Sequence, residues 1–435
     1  MNYHFIGICG SSMSGLYRVM KEQGHSVSGC DLLQKGGHSE KHISKNLDGV
    51  IISAAITSDS KAWPEVEKAQ KMGIPVITRS KLIGKLMQDK IRTPRFAREP
   101  CFPRVARKIG IAVSGSHGKT TTSAMITLIL KEAGLDPTYF IGGEIKKLSN
   151  AGLGKGEYLV AEACEYDRQF LDFRPKIAVI TNIDKEHLDT YPGGLTEIKK
   201  AFKKFIKLLP KNGILVLNED DPAFNYLKKV AKCKVKTFSA SHFWPGLSLK
   251  IPGKHNLLNA TAAARVCHEI GISHQIIKRV LNNFEGVSRR FEIKGKKDGV
   301  IVVDDYAHHP TEIKATFSAA REFFPKKRII CVFQPHQYLR TEALFGDFAS
   351  AFSDCDILIL AEIFKVEGRD PETPKIKTKD LAEAIKKSSQ KNVIYLPTYD
   401  KIIKYLKKEA KNGDLIITLG ATKIYKIGER FLCKN

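Results

Sequence analysis

Short apolar runs recur along the chain, separated by longer stretches in which apolar and charged residues alternate at helical spacing. Runs at 4–8, 26–30, 51–54, 75–78, 158–161, 177–181, 300–303, 329–333, 357–361, 393–396 and 415–419 predict strands. Those at 158–161, 300–303, 329–333, 357–361 and 393–396 are apolar throughout, as strands buried on both faces are. The segments between them predict helices, among them one ending near residue 23, one starting near 256 and one over 275–284. This alternation predicts an α/β fold with mainly parallel sheets. It falls into three blocks, the first closing near residue 87 and the third opening near 289. Between the first two blocks, Arg92, Arg95, Arg98, Arg104 and Arg107 are interleaved with Pro94, Pro100 and Pro103. Prolines at that density forbid a regular helix or a central strand, so this stretch reads as a linker.

The strand–turn–helix junction at 109–122, Ile-Gly-Ile-Ala-Val-Ser-Gly-Ser-His-Gly-Lys-Thr-Thr-Thr, carries the strongest chemistry. Glycines there let the backbone approach an anion, and free N–H groups at a helix start face it. Within Gly115-Ser116-His117-Gly118-Lys119-Thr120-Thr121, Lys119 supplies a mobile cation for phosphate oxygens and Thr120 a hydroxyl placed for Mg²⁺. Val113 stands where the longer phosphate-loop pattern has its first glycine, so the loop is a short variant.

Other junctions follow the same strand-to-helix logic. Gly7-Ile-Cys-Gly-Ser-Ser-Met-Ser-Gly15 opens a helix as dinucleotide turns do, and Asp31 ends the next strand, where such folds hold a ribose. Cys9 and Ser12 break the glycine spacing. That disfavours a redox dinucleotide and leaves a nucleotide-type diphosphate on the helix start. Glu162-Ala-Cys-Glu-Tyr-Asp167 and Thr181-Asn-Ile-Asp-Lys-Glu-His-Leu-Asp-Thr190 each follow a strand. They should therefore surface at the carboxyl edge that presents the phosphate loop. A carboxylate and an imidazole there suit a divalent cation shared with phosphates. Taken alone, His187 is more often a hydrogen-bonded loop histidine, and acids after strands are often helix caps. Asn256 is a fair N-cap, and Asn259 lies one turn on, so both amides could face one base edge. Val303-Asp-Asp-Tyr-Ala-His-His-Pro310 joins a strand to a helix with more acids and histidines than a cap needs. Phe333-Gln-Pro-His-Gln-Tyr-Leu-Arg-Thr341 offers the guanidinium of Arg340, a fork suited to carboxylate or phosphate.

Composition narrows the classes. An apolar fraction of 43% supports packed cores and excludes a disordered chain. Lys+Arg 71 against Asp+Glu 46 gives +25, which suits either a nucleic-acid partner or an enzyme of anionic substrates. The lysines are scattered, as at Lys199, Lys200, Lys203, Lys204 and Lys207, which reads as a solvated helix face. Nine dispersed cysteines with no C-x-x-C pair argue against a disulfide framework or zinc knuckle. Neither a leader nor a membrane-spanning apolar run is found, so a cytoplasmic protein without membrane insertion is expected.

The ordered succession GICGSSMSG, GSHGKTTT, EACEYD, NIDKEHLDTY, GKHNLLNATAA, GVSRRF, DDYAHHPTE and FQPHQYLRT spans nearly the whole chain and resembles the Mur ligase family. The resemblance implies three α/β domains. These are an amino-terminal Rossmann-like domain (1–88) for a UDP-sugar, a central P-loop-type ATPase domain with a mainly parallel sheet (109–288), and a carboxyl-terminal Rossmann-like domain (289–435) for the amino acid. The Pro/Arg-rich linker (89–108) would be a hinge region. The implied activity joins L-alanine to the carboxylate of UDP-N-acetylmuramate at the expense of ATP, through an acyl phosphate, with Mg²⁺ or Mn²⁺. No nucleic acid is expected, and the state would be monomer or homodimer.

By the same resemblance, Gly115, Gly118 and Lys119 cradle the ATP phosphates, with Ser116, His117 and Thr121 in the loop. Thr120, Glu162 and His187 hold the metal. His255, Asn256 and Asn259 frame the adenine, and Arg290 with Asp304 or Asp305 reaches the nucleotide. Tyr306, His308 and Arg340 lie near the amino acid and the reacting carboxylate, with His308 a candidate general base. Gly10, Met13, Ser14 and Gly15 meet the diphosphate, and Asp31, His38 and Ser53 line the UDP-sugar site. The chain departs from the family at Cys9, Ser12 and Gln337, where a glycine, a glycine and an arginine are usual, and at Glu165-Tyr166. Two other readings are a ligase that attaches a recycled murein tripeptide to the same sugar and a basic nucleic-acid-binding ATPase.

Overall fold

A computed structural model describes residues 1–88, 90–92, 105–145, 148–366, 369–390 and 392–433. The chain forms two compact units, residues 1–249 with 257–284, and residues 250–256 with 285–435.

The first unit holds two sheets. Strands β1 (Asn2–Ile6), β2 (Ser26–Cys30), β3 (Gly49–Ile52) and β4 (Val76–Thr78) form the first, in the order β2-β1-β3-β4, all parallel. Helices α1 (Ser11–Glu22), α2 (Trp63–Lys71) and α3 (Arg79–Leu86) are its crossovers. The first strand ends two residues before the expected 8, because Gly7 turns left-handed at φ +81° and takes the chain out of the ladder. Most of the expected linker, residues 93–104, lies outside the described residues. On either side of it, β5 (Lys90–Arg92) and β6 (Val105–Arg107) pair as an antiparallel ribbon.

The second sheet is built from β7 (Ile109–Ser114), β8 (Thr138–Phe140), β9 (Ala151–Gly152), β10 (Tyr158–Glu162), β11 (Ile177–Ile180), β12 (Ile214–Asn218) and β13 (Lys234–Phe238). Its order is β13-β12-β11-β7-β10-β8-β9, and only β9 runs antiparallel to its neighbour. After β7 the chain first builds to one side, through β8 and β10, and then crosses to β11 on the other. The carboxyl end of β7 is therefore a topological switch point, where open α/β sheets bind ligands. Helix α4 (Lys119–Glu132) starts there. Helix α5 (Gly194–Ile206) buries Ile198, Ala201, Phe202, Phe205 and Ile206, while Lys200, Lys203 and Lys204 are exposed. That apolar stripe recurs every three to four residues, which fixes the helix on the sheet and sends the lysines to solvent. Phe170 stacks on Phe205 and meets Phe202 edge-on beneath it. Short α6 (Phe224–Lys228), α7 (Lys254–Glu269) and α8 (His274–Asn282) follow. One apolar cluster runs through both sheets, from Phe5 and Leu16 to Ala178 and Phe205.

The second unit carries a single sheet of β14 (Glu292–Lys297), β15 (Val300–Asp305), β16 (Ile329–Phe333), β17 (Ile357–Leu360), β18 (Val393–Tyr395) and β19 (Leu415–Leu419). The order is β14-β15-β19-β16-β17-β18, and only the β14–β15 hairpin is antiparallel. Helices α9 (Pro310–Phe323) and α10 (Tyr338–Ala343) leave the carboxyl ends of β15 and β16. The expected α/β class with mainly parallel sheets is what the chain adopts.

Candidate active site

In the first unit, the phosphate loop is stitched to the end of β11. The Thr181 hydroxyl donates to the carbonyl oxygens of His117 (2.6 Å) and Ser114 (3.2 Å), and the Asn182 amide clamps both polar groups of the His117 peptide. The Asp184 N–H donates to Ser116 Oγ (2.8 Å), and His117 Nε2 lies 2.9 Å from the Asp184 carboxylate. Gly115 and Gly118 have φ of +123° and +82°, a region side chains avoid. Space also demands glycine. A Cβ on Gly115 would lie 2.2 Å from Thr181 Oγ1, and one on Gly118 would lie 2.3 Å from Asn259 Oδ1. Asn259 is thereby placed against the loop. His255 and Asn256 belong to the second unit, where the Asn256 amide donates to Pro252 O (2.7 Å).

Lys119 opens α4. Its ammonium donates to the carbonyl oxygens of Gly115 (2.5 Å) and Ser116 (2.9 Å) and to Glu165 (3.1 Å). Burial works against this charge, but the Glu165 carboxylate, with Glu162 behind it, more than offsets that and holds the pKa above the ordinary lysine value. Next along, Thr120 Oγ1 donates to Glu162 Oε2 (2.8 Å), and the Gly142 N–H donates to the same oxygen (2.9 Å). Two hard oxygen groups thus meet beside a phosphate loop, the donor set Mg²⁺ prefers. His187, the third expected metal ligand, has φ +53° and sits with Nε2 3.8 Å from Glu165, its ring against Tyr166.

Several residues of this site were not picked out from the sequence. Glu165, only 1% exposed, ties Lys119 to His187 and accepts the Tyr191 hydroxyl on its backbone oxygen (2.6 Å). In the sequence its position stands out only as a departure from the family pattern. Gly142 admits the Glu162 carboxylate so closely that a Cβ would lie 2.3 Å from it. Arg79, at the start of α3, is half-buried, which lowers its pKa against the opposing pull of Cys164 and Glu162. Neighbouring Cys164 is pushed up to about 12 by burial and by Glu165, so it is no nucleophile at neutral pH.

The amino-terminal turn is organised from β2. The N–H groups of Gly7 and Ile8 donate to Cys30 O, and the Cys9 N–H donates to Asp31 (3.0 Å). Gly10 precedes α1 with extended backbone, so the first N–H groups of the helix lack helical partners. Met13 is buried in the core, so only its backbone is available to a ligand. Gly15 has a packing reason for its identity, since a Cβ there would lie 2.7 Å from Ala151. His38 is turned inward, with Nδ1 3.1 Å from Glu65. Ser53 follows β3, and its hydroxyl accepts the Ala55 N–H (3.3 Å).

In the second unit, Asp304 and Asp305 are buried at the end of β15. Asp304 accepts from Arg289 Nε (2.9 Å) and Thr418 (2.7 Å). Asp305 accepts from the N–H groups of Ala307 (2.8 Å) and Phe291 (3.0 Å) and from Thr316 (3.2 Å). Burial pushes Asp305 up to about 6, partly countered by Arg290. One or the other was expected to reach the nucleotide. Here they are turned to the unit's own groups and position the turn that carries Arg290, whose guanidinium lies over Tyr306 (5.1 Å) and 3.7 Å from Glu312.

Three expected residues of this unit do come together. The ring of Tyr306 meets His308 edge-on at 5.4 Å, His308 meets His336 at 6.1 Å, and Arg340 lies 3.3 Å from His336 Nδ1. His336 joins a group it had not been assigned to. His308 Nδ1 is 3.0 Å from the Tyr306 carbonyl oxygen, a contact that places the ring proton on Nδ1 and the lone pair on Nε2. Gln337, where the resemblance led us to expect arginine, is buried with φ +77°. Its Oε1 accepts from Arg369 (3.4 Å), and its Nε2 has no partner among the described residues, so an N–H donor persists there.

Comparison with known proteins bears on what this arrangement serves. Three family models match in order: the Mur ligase family catalytic domain over residues 2–91, the Mur ligase middle domain over 113–246, and the Mur ligase glutamate ligase domain over 289–422. A UDP-N-acetylmuramate–L-alanine ligase of Acetivibrio thermocellus is 42% identical, over 99% of this chain and 95% of its own length. Among solved structures, a UDP-N-acetylmuramate–alanine ligase of Thermotoga maritima aligns with TM-score 0.77 at 24% identity, covering 99% of this chain and 98% of that one. A murein peptide ligase of Psychrobacter arcticus aligns with TM-score 0.69 at 22% identity, covering 99% and 98%.

Proposed function

Because the chain belongs to the Mur ligase family, we propose that it joins L-alanine to the carboxylate of UDP-N-acetylmuramate at the expense of ATP, a step of peptidoglycan precursor synthesis. The observation that carries this reading is the full-length likeness to a ligase of that name together with a phosphate loop whose lysine, threonine and carboxylate are in place. The three family segments support a division into 1–88, 109–288 and 289–435, with 89–108 as linker.

The chemistry follows from these groups. A carboxylate oxygen of the sugar attacks the γ-phosphorus of ATP, the bond to ADP breaks, and an acyl phosphate forms. The alanine nitrogen then attacks the acyl carbon, inorganic phosphate leaves, and the nitrogen gives up a proton. Lys119, kept charged by Glu165, neutralises the oxygens of the transferring phosphoryl group. Thr120 and Glu162 would hold Mg²⁺, with His187 completing the set, and the bound ion would neutralise phosphate charge. Gly115 and Gly118 open the loop to the phosphates, and Asn259 lies where a nucleotide on that loop would extend. Tyr306, His308 and Arg340 form the amino-acid group, with His308 Nε2 the proposed proton acceptor and Arg340 the carboxylate partner. Gly10, Ser14 and Asp31 would meet the UDP-sugar at the start of α1. No helix among the described residues is long and apolar enough to cross a membrane, which accords with a cytoplasmic enzyme of small-molecule substrates.

The test is phosphate release from ATP with Mg²⁺ and UDP-N-acetylmuramate while single amino acids are supplied in turn. Turnover that needs both the sugar and L-alanine, and that is lost in Lys119→Ala, is expected. Turnover with a tripeptide and none with L-alanine would overturn the assignment in favour of the murein peptide ligase.

A further inference from the structure

Away from the phosphate loop, four elements of the first unit aim metal-binding side chains at one point. His4 comes from β1, Cys30 from the end of β2, His42 from the single turn Glu40–His42, and Glu65 from α2. Their ligating atoms all lie within 4.8 Å of one another. Cys30 Sγ is 3.4 Å from His4 Nε2 and 3.2 Å from Glu65 Oε2, and His42 Nδ1 is 2.6 Å from Glu65 Oε1. Ligands of a tetrahedral zinc, with bonds of about 2.0–2.3 Å, stand about 3.3–3.6 Å apart, so the sulfur contacts are near ligand spacing.

The cluster gathers more polar partners on one sulfur than a single thiol proton can serve. A thiol has one proton to donate. Yet Cys30 Sγ faces His4 Nε2, His38 Nδ1 (3.2 Å) and both Glu65 oxygens. Glu65 is fully buried, and a buried carboxylate requires a compensating charge. We propose that His4, Cys30, His42 and Glu65 form a structural Zn²⁺ site. The charges close there, since one thiolate and one carboxylate balance the dication and the two imidazoles are neutral.

The surroundings are those of a built site. Ser28 Oγ lies 2.8 Å from His4 Nδ1 and orients the ring, and the Ser39 N–H donates to Glu65 (2.9 Å). His42 is partly exposed and provides the way in. The metal would tie together β1, β2 and α2. It would also fix the Cys30 carbonyl that holds the Gly7 and Ile8 N–H groups, and with it the amino-terminal turn.

The test is cobalt(II) titration of the EDTA-stripped full-length protein, followed by visible spectroscopy. One equivalent of tetrahedral cobalt with a thiolate-to-metal charge-transfer band is expected, and that band should vanish in Cys30→Ser. His42→Ala, on a partly exposed turn where folding is least at risk, should weaken binding at least about tenfold. Zn²⁺ should raise the melting temperature of the wild type more than that of His42→Ala. Absence of a thiolate band, a band that survives Cys30→Ser, or equal metal affinity and equal Zn²⁺ stabilisation in His42→Ala would overturn the site.

Discussion

Replacing Gly142 by alanine separates catalysis from folding. The new Cβ would stand 2.3 Å from Glu162 Oε2 and 2.8 Å from Thr120 Oγ1. Gly142 does not have a left-handed φ, so alanine can adopt its backbone. With a smaller shift at the Thr120 hydroxyl, the relief must come chiefly from Glu162, the end of a flexible side chain. Moving its oxygen from 2.3 Å to the 3.4 Å at which ordinary contact begins displaces the carboxylate by about 1 Å. A displacement of that size in a catalytic constellation costs about 10²-fold in rate, or roughly 2.7 kcal/mol of transition-state stabilisation. The global cost should stay within about 0.5 kcal/mol, as for surface changes away from packing. Steady-state kinetics across a Mg²⁺ titration, with a melting curve on the same sample, measures both. The expected result is a fall of about 10²-fold in kcat/KM for ATP, a raised Mg²⁺ requirement and a nearly unchanged melting temperature. Wild-type kinetics at every Mg²⁺ concentration would refute the placement of Glu162 at the metal. A large loss of stability would refute the claim that the carboxylate gives way.

Three further outcomes follow from the same geometry. Glu165→Gln removes the carboxylate that holds the Lys119 pKa up and leaves burial, which lowers it. The charged form required for phosphate is then lost at lower pH, so the alkaline limb of kcat/KM for ATP should move down by at least about one unit; an unmoved limb would sink the pairing. Asp305, raised from 3.8 to about 6, binds more protons folded than unfolded between those values, so its contribution to stability falls as pH rises through that window. The stability of the wild type relative to Asp305→Asn should therefore decline by roughly 2–3 kcal/mol from pH 4 to pH 7, followed by denaturant unfolding at each pH. Lys119→Ala should abolish ATP-dependent phosphate release and also lower the melting temperature, because it leaves the buried Glu165 carboxylate without its cation.

Local patterns were legible in the sequence because their causes are local. An apolar run, a left-handed glycine and a helix start lie within a dozen residues at the phosphate loop, so both the loop and the need for Gly115 and Gly118 could be read there. The strand over 329–333 matches for the same reason, being a continuous apolar run between turns, and those over 26–30 and 415–419 match as well. Strands β8, β9, β12, β13 and β14 were not expected, nor were β5 and β6, which lie within the stretch read as a linker. The hairpins and edge strands among them, such as β13 with its lysines and β14 with its glycine, carry weak apolar signals and owe their conformation to pairing.

Contacts between distant residues were decided by the tertiary structure alone. Glu165 and His187 converge on Lys119 across 46 and 68 positions because three strand ends share one sheet edge. The sheet order sets that edge, and no window of sequence contains the order. The burial that turns Asp304 and Asp305 inward, the closeness of Gly142 to Glu162 and the meeting of His4 with Cys30, His42 and Glu65 arise in the same way. Residue type and spacing along the chain determined which chemical groups this protein has and which turns present them. Packing determined which groups face one another and which carboxylates remain available to a ligand, because burial and through-space distance exist only once the sheets are assembled.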